Sequence, residues 1–358
     1  MPHEPTLLTI APASPENPRN SEAAIVERRD GSLLLVWQEY LASERGSEDD
    51  APNRLAAMVS HDGGRTWTDR RVLVETAPGD VNVYSPSLVR LPDGDLLFTY
   101  FRYNHLVPGE PPLGSAYACR SRDEGETFSA PEVIFSRESI AFPSSTAKLL
   151  STGRILLPVE RQVGNVWSPT DHEVVGAAWS DDGGHTWRHS EHWADVPLRG
   201  AMEAHVEELK DGRILMVMRT QLGSVFQAHS ADGGETWSLP QTTGLRAPES
   251  CPDLARLPRT GDLMIVWNNA PYDPGFASHY GKRSPLTVAI SSDESLTWTH
   301  VKNVEDDPGW AYSNPGCTFT RGGQCLLNYW AVAYTPDWLM SGPIDLKLAI
   351  LDLDWLYS

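Results

Sequence analysis

Residues 203–219 read EAHVEELKDGRILMVMR, with a carboxylate at one end and a guanidinium at the other. Asp211-Gly212 readily supplies the positive φ angles of a tight turn, and apolar-rich runs flank it, so the segment predicts a β-hairpin. Folding about that turn brings Glu203 and Arg219 to the same open end. The pair is either an edge ion pair, worth about 0–1 kcal/mol, or half of an active site. In the second case the carboxylate takes up a proton and the planar guanidinium grips an anion through two parallel hydrogen bonds. Strict pairing about Asp211-Gly212 sets Ala204 opposite Arg219. Glu203 and Arg219 then face one way only if a bulge intervenes or Glu203 leaves the ladder.

The elements that position such a pair follow from internal repetition. A motif S-x-D-x-G-x-T-[WF] recurs as SHDGGRTW (60–67), SRDEGETF (121–128), SDDGGHTW (180–187) and SADGGETW (230–237). A fifth copy, SSDESLTW (291–298), has Ser295 where the others have Gly. Turn signals followed by an apolar run occur at Asp30-Gly31, Asp93-Gly94, Thr152-Gly153, Asp211-Gly212, Thr260-Gly261 and Gly322-Gly323. Each of the first five is followed by the motif, and the sixth by LKLAILDLDWL. Each unit reads strand, turn, strand, loop, strand, motif turn, strand. The expected fold is an all-β, six-bladed β-propeller of four-stranded antiparallel sheets, one domain over residues 1–358. The apolar TLLTI at 6–10 precedes the first repeat and is expected to pair with the last sheet and close the ring.

The motif's residue types are fold chemistry. Asp accepts turn N–H groups, Gly permits positive φ, Ser and Thr brace the loop, and Trp or Phe plugs between sheets. The motif aspartates are therefore read as structural, and Ser295 predicts a distorted or looser fifth turn.

A formal charge of −19 and a pI near 4.9, with no offsetting basic stretch, argue against nucleic acid or an anionic membrane as partner. An anionic substrate then needs a local arginine cluster. The start, MPHEPTLLTI, has no basic region followed by an apolar one, and nowhere do ~18 apolar residues run together, so the chain reads as soluble and cytoplasmic. The four cysteines lack CxxC spacing and read as buried free thiols. His105, His172 and His205 lack metal-ligand spacing and read as structural or pocket-lining, so neither metal nor cofactor is expected. The sequence leaves the oligomeric state open.

The five motifs resemble the Asp boxes of the sialidase (neuraminidase) superfamily, and the repeats cover nearly the whole chain. Family sialidases grip the substrate carboxylate with an arginine triad and use a tyrosine nucleophile, a glutamate that assists it and an aspartate acid/base. Glu203, Glu208-Leu209, Asp211-Gly212 and Arg219 match the stretch that carries the glutamate and the second triad arginine. RSPLTVAISSDESLTW resembles the region of the third arginine, which places Arg283 there, and WAYSNPG resembles the turn carrying the nucleophile, which places Tyr312. Arg19 is the nearest equivalent of the first arginine, in NPRNSEAAIVERRDG, which lacks the family's Phe-Arg-Ile-Pro. Glu22 stands eight residues before its turn Asp, as Glu203 does, and is expected to line the same pocket. In SEDDAPN the resemblance offers Asp49 and Asp50 as the acid/base, with Asp50 the better match.

The resemblance implies a retaining exo-α-sialidase that releases a terminal nonulosonic acid without a cofactor, acting on a small molecule or glycan with a carboxylate. A tyrosine nucleophile avoids driving a carboxylate against the substrate's own. Bringing a phenol from its ordinary pKa to pH 7 costs about 4 kcal/mol, which an adjacent Glu203 accepting the proton supplies. Two rival readings stand beside this one. The weak first-arginine motif suggests a related propeller glycosidase acting on another acidic sugar. Asp boxes without catalysis suggest a glycan-binding propeller.

Overall fold

The computed structural model describes residues 4–104, 113–136, 138, 140–141, 143–163 and 172–358. They form six antiparallel sheets in chain order around one axis. Blade 1 consists of Asn20–Glu27, Leu33–Tyr40, Asn53–Ser60 and Thr68–Val74, and blade 4 of Met202–Glu208, Ile214–Arg219, Ser224–Ser230 and Gln241–Arg246. In blade 3 the inner strand is split into Ile140–Ala141 and Lys148–Leu149, both paired with Ile155–Val163. Blade 6 takes its outermost strand, Thr6–Ala11, from the start of the chain, antiparallel to Asp345–Leu351. This is the ring closure expected of TLLTI. The chain ends in a short helix, Leu353–Tyr357.

Hydrophobic packing explains why the second strands read as unbroken apolar runs. Each lies between two neighbouring blades and is covered on both faces; Leu33–Tyr40 and Ile214–Arg219 are buried throughout. An apolar cluster fills every junction between blades. Met264, Val266 and Leu286 of blade 5 pack on Tyr312, Leu327 and Tyr329 of blade 6. Leu326 and Leu348 of blade 6 pack on Leu35 and Trp37 of blade 1, so the last junction is sealed like the others. Outer strands face water, as the alternating exposure of Gln241–Arg246 shows. The four cysteines are free, and three are buried.

The Asp boxes hold their turns as the residue types require. In the first, Asp62 accepts the Thr66 N–H at 2.9 Å and its hydroxyl at 2.7 Å, while the Ser60 hydroxyl accepts the Gly64 N–H at 2.9 Å. The fifth box corrects the expectation of a looser turn. Ser295 N–H still reaches the Ser291 hydroxyl at 2.9 Å, and Thr297 N–H reaches Asp293 at 2.8 Å. The cost appears in the backbone instead, because Ser295 sits at φ +72°, a left-handed conformation that glycine adopts freely. Ser295→Gly is therefore expected to stabilise the fold by up to about 1 kcal/mol, read as a higher urea midpoint at unchanged m-value.

In an antiparallel meander the first and third turns lie at one edge of each sheet, and the second loop and the blade-to-blade connections at the other. Both the turn signals and the Asp boxes fall at the first edge. The opposite edge, where inner strands begin and second strands end, is left to carry the site.

Candidate active site

A cavity of about 370 Å³ opens at that edge, around the propeller axis. Glu203 and Arg219 both line it, and their approach settles the register. The loop of blade 4 spans three residues, since Leu209 N–H bonds to Arg213 O and Gly212 N–H to Leu209 O, with Gly212 at φ +86°. This shifts the ladder by one residue relative to a two-residue turn. A bulge between Met202 and His205 then sets Met202 opposite Arg219. Glu203 is the bulged residue, at φ +44°, and Arg219 Nη1 donates to its Oε2 at 2.6 Å.

The bulge repeats around the axis. Glu22, Ser85, Glu203 and Asn314 each have positive φ, each line the cavity, and each stand eight residues before the first residue of their turn. In blade 6 this position belongs to Asn314. Tyr312, two residues earlier, is 2% exposed and packs edge-on against Tyr329 in the cluster between blades 5 and 6. It does not line the cavity. Burial, then Glu305, Asp307 and Asp306, push its phenol far above the ordinary value, the opposite of activation. Among the described residues three tyrosines line the cavity, Tyr84, Tyr103 and Tyr280. Tyr280 is the one beside Arg219 and Arg283, its ring centre 4.6 Å from the Arg283 guanidinium carbon and 5.1 Å from that of Arg219, and burial raises its phenol as well.

Arg19, Arg219 and Arg283 line this one cavity, joined by Arg199, which sequence reasoning did not single out. Arg19 donates to Glu22 at 3.0 Å, to Asp49 at 2.7 Å and to Ser47 O at 3.1 Å. Arg219 and Arg199 both donate to the fully buried Glu249. Arg283 is held differently: Nη1 donates to the Ser313 hydroxyl at 2.9 Å and Nη2 to the Glu249 carbonyl at 2.9 Å. Both of those acceptors are neutral, so among the described residues no carboxylate bonds directly to the Arg283 charge.

The pair Asp49 and Asp50 separates cleanly. Asp49 lines the cavity and bonds Arg19, whereas Asp50 turns outward to a two-pronged contact with Arg45 at 2.6 and 2.7 Å. Of the histidines, His205 is 1% exposed and contacts Asp253 at 2.6 Å beneath the cavity, and His172 bonds Leu198 O and Asp195. His105 lies outside the described residues. Among the described residues no cluster of His, Cys, Asp or Glu is arranged to hold a metal ion, and no helix is long and apolar enough to cross a membrane.

Blade 3 adds two glutamates. Glu160 and Glu173 line the cavity at 8% and 6% exposure, and Glu160 Oε2 accepts the backbone N–H of Glu203 at 2.8 Å. Burial pushes both carboxyls up, helped by repulsion from Glu173 and Glu203 at Glu160 and from Glu203 at Glu173, which stands at about 7 although Arg219 and Arg199 pull it down. The one sequence signal for Glu160 is a charged residue ending the apolar run ILLPVE.

A family model described as a BNR repeat-like domain matches residues 31–327 of the chain. A sialidase of Micromonospora viridifaciens is 26% identical over 327 residues, covering 81% of this chain and 46% of that protein. This chain thus spans less than half the length of that relative. Among solved structures, a Dyadobacter fermentans protein of unknown function superposes with TM-score 0.75 at 20% identity, covering 98% of each chain. The Ruminococcus gnavus intramolecular trans-sialidase, solved with oseltamivir carboxylate, superposes with TM-score 0.74 at 15% identity, covering 97% of each.

Proposed function

The chain belongs to the family of BNR repeat-like domains, and from that premise we propose that it is a glycoside hydrolase of sialidase type, acting on a terminal sugar that carries a carboxylate. The observation that carries this reading is Arg283. Its charge is placed in the cavity on neutral oxygens, beside Arg219 and with Arg19 in the same lining. A buried arginine whose own hydrogen bonds go to neutral oxygens attracts an anion strongly, by about 4 kcal/mol at 4 Å and an effective dielectric near 20 before desolvation. Arg219 is shared between Glu203 and Glu249, so it orients as much as it attracts. Glu203, fixed by its bulge, is the base of the reading.

The finer form of the proposal is a retaining reaction through a tyrosine. Within it the role passes from Tyr312 to Tyr280, because Tyr280 lines the cavity with its ring against Arg219 and Arg283, whereas Tyr84, another cavity tyrosine, gives its hydroxyl to the Asp49 carbonyl. Turnover of a fluorogenic sialoside tests both statements. Tyr280→Phe is expected to lower kcat by at least about 100-fold, the scale of losing an activated nucleophile's partner chemistry, and Tyr312→Phe to change it less than about threefold. The reverse pattern would return the nucleophile to Tyr312, and no turnover of sialosides by the wild type would remove the substrate class. A second reading is favoured by the burial of Tyr312: a related propeller glycosidase on another acidic sugar, working through carboxylates. A panel of aryl glycosides of other acidic sugars separates the two.

A further inference from the structure

Resting on the glycosidase reading, we propose that Glu160 is the proton donor to the leaving-group oxygen, with Glu173 as the positioning residue that keeps the proton in the cavity. Three observations carry it.

The first is the disposition of oxygens. Asp49 and Glu22 are both ion-paired with Arg19, Asp49 through Oδ1 and Glu22 through Oε1, with Glu22 Oε2 on the Ser21 hydroxyl. Glu160 lines the same cavity with no ion pair among the described residues, and its Oε2 accepts the Glu203 N–H. That N–H is available because Glu203 is the bulged residue, lifted out of the ladder with Ile214–Arg219. The bulge that aims the Glu203 carboxylate thus also fixes Glu160.

The second is the pairing of strands. In blade 3, Glu160 stands opposite Val175 and Gln162 opposite Glu173. Glu160 and Glu173 therefore project from one face as a diagonal pair, within about 7–8 Å of each other at the backbone. The charged groups facing them are Glu203 and Arg219 from blade 4, Arg199 from the connection before it, 4.0 Å from Glu173, and His172 beside Glu173 on its own strand. Two buried carboxyls with one shared arginine neighbour do not both ionise readily, and the pair retains a proton near neutral pH.

The third is charge. The cavity lining holds Glu22, Glu48, Asp49, Glu160, Glu173 and Glu203 against Arg19, Arg199, Arg219 and Arg283. With every group ionised, carboxylates outnumber arginines and an anionic sugar is repelled. A proton on the glutamate pair reduces that excess and stands ready for transfer. The proton moves from Glu160 to the glycosidic oxygen as the anomeric C–O bond breaks, and the aglycone leaves as an alcohol. The water that later adds to the anomeric carbon gives up one proton to the pair, which ends with the count it began with.

The test uses Glu160→Gln in the full chain, since the amide oxygen still accepts the Glu203 N–H. Two substrates share one acidic sugar: an alkyl glycoside, whose departure needs a proton, and a dinitrophenyl glycoside, whose departure does not. The expected result is a loss of about 10²–10⁴ in kcat/KM on the alkyl glycoside, a loss below about 10-fold on the aryl one, and disappearance of the basic limb of the pH profile. Glu173→Gln is expected to move that limb and cost less. Equal losses on both substrates, or an unmoved basic limb, overturn the assignment. If the wild type turns over no acidic-sugar glycoside, the glycosidase reading fails by itself. The proton is then read by carbon-detected titration of the glutamate carboxyls, where a resonance titrating above about pH 6 and lost in Glu160→Gln supports the assignment, and its absence overturns it.

Discussion

Replacing Arg283 by leucine is expected to raise KM for an acidic-sugar glycoside by between about 30-fold and a few thousand-fold, the range that corresponds to about 2–5 kcal/mol for losing one side of a buried, hydrogen-bonded charge pair. The expectation comes from the neutrality of its partners, Ser313 Oγ and the Glu249 carbonyl. In the free protein the substitution strands no carboxylate that Arg283 was bonding, so the fold should lose little beyond the packing of the guanidinium on Tyr280 and Trp330. Binding and stability therefore separate at this position. Arg283→Lys should recover only part of the affinity, because an ammonium lacks the fork that meets both carboxylate oxygens. Initial-rate kinetics with a thermal melt on the same samples check both halves.

Arg219→Ala should show the opposite balance, a loss of stability of about 3–5 kcal/mol together with lost activity. It removes the partner at 2.6 Å from Glu203 and one of two cations on the buried Glu249, and leaving a buried charge uncompensated is the costly way to break an ion pair. The loss has a pH signature. Burial pushes the Glu249 carboxyl up, but Arg219 and Arg199 outweigh it and hold the group below its ordinary value of 4.5. A depressed carboxyl contributes stability that is present above its unfolded pKa and is lost as pH falls through the folded one. The gap between wild type and Arg219→Ala should thus be full at neutral pH and narrow below about pH 4.5. Urea unfolding at several pH values measures it, and a gap independent of pH would mean that the loss is one of packing.

The architecture was legible because its signals are local. An Asp box needs its Ser, Asp, Gly and Thr within eight residues, so the chemistry of one turn is written in one stretch of chain. TLLTI was legible for a different reason: an apolar run left over before the first repeat had one open sheet edge to join. The site was readable to the extent that it repeats the same local geometry. Glu203 and Arg219 meet because one hairpin folds on itself, and the eight-residue spacing from the turn located Glu22 as well as Glu203. Applied to blade 6, that spacing selects Asn314, whereas the resemblance in WAYSNPG drew attention to Tyr312. The alternation of the strand then placed that phenol between blades. Asp49 and Asp50 are neighbours in a loop, where no periodicity says which turns inward; Arg19 on one side and Arg45 on the other decide it. Glu160, Glu173, Arg199 and Tyr280 left little or no pattern, because they come together only when separate blades close around the axis.

The account rests on one claim, that the arginines of the cavity bind a carboxylate on the sugar being cleaved. Turnover of a fluorogenic sialoside compared with its methyl ester tests it most directly, since esterification removes the charge that the arginines would meet and adds no more than a methyl group. The account predicts that the acid is cleaved at least about 30-fold more efficiently, corresponding to about 2 kcal/mol, and that Arg283→Leu removes most of this preference. Equal turnover of acid and ester, with a preference unchanged by Arg283→Leu, would contradict it.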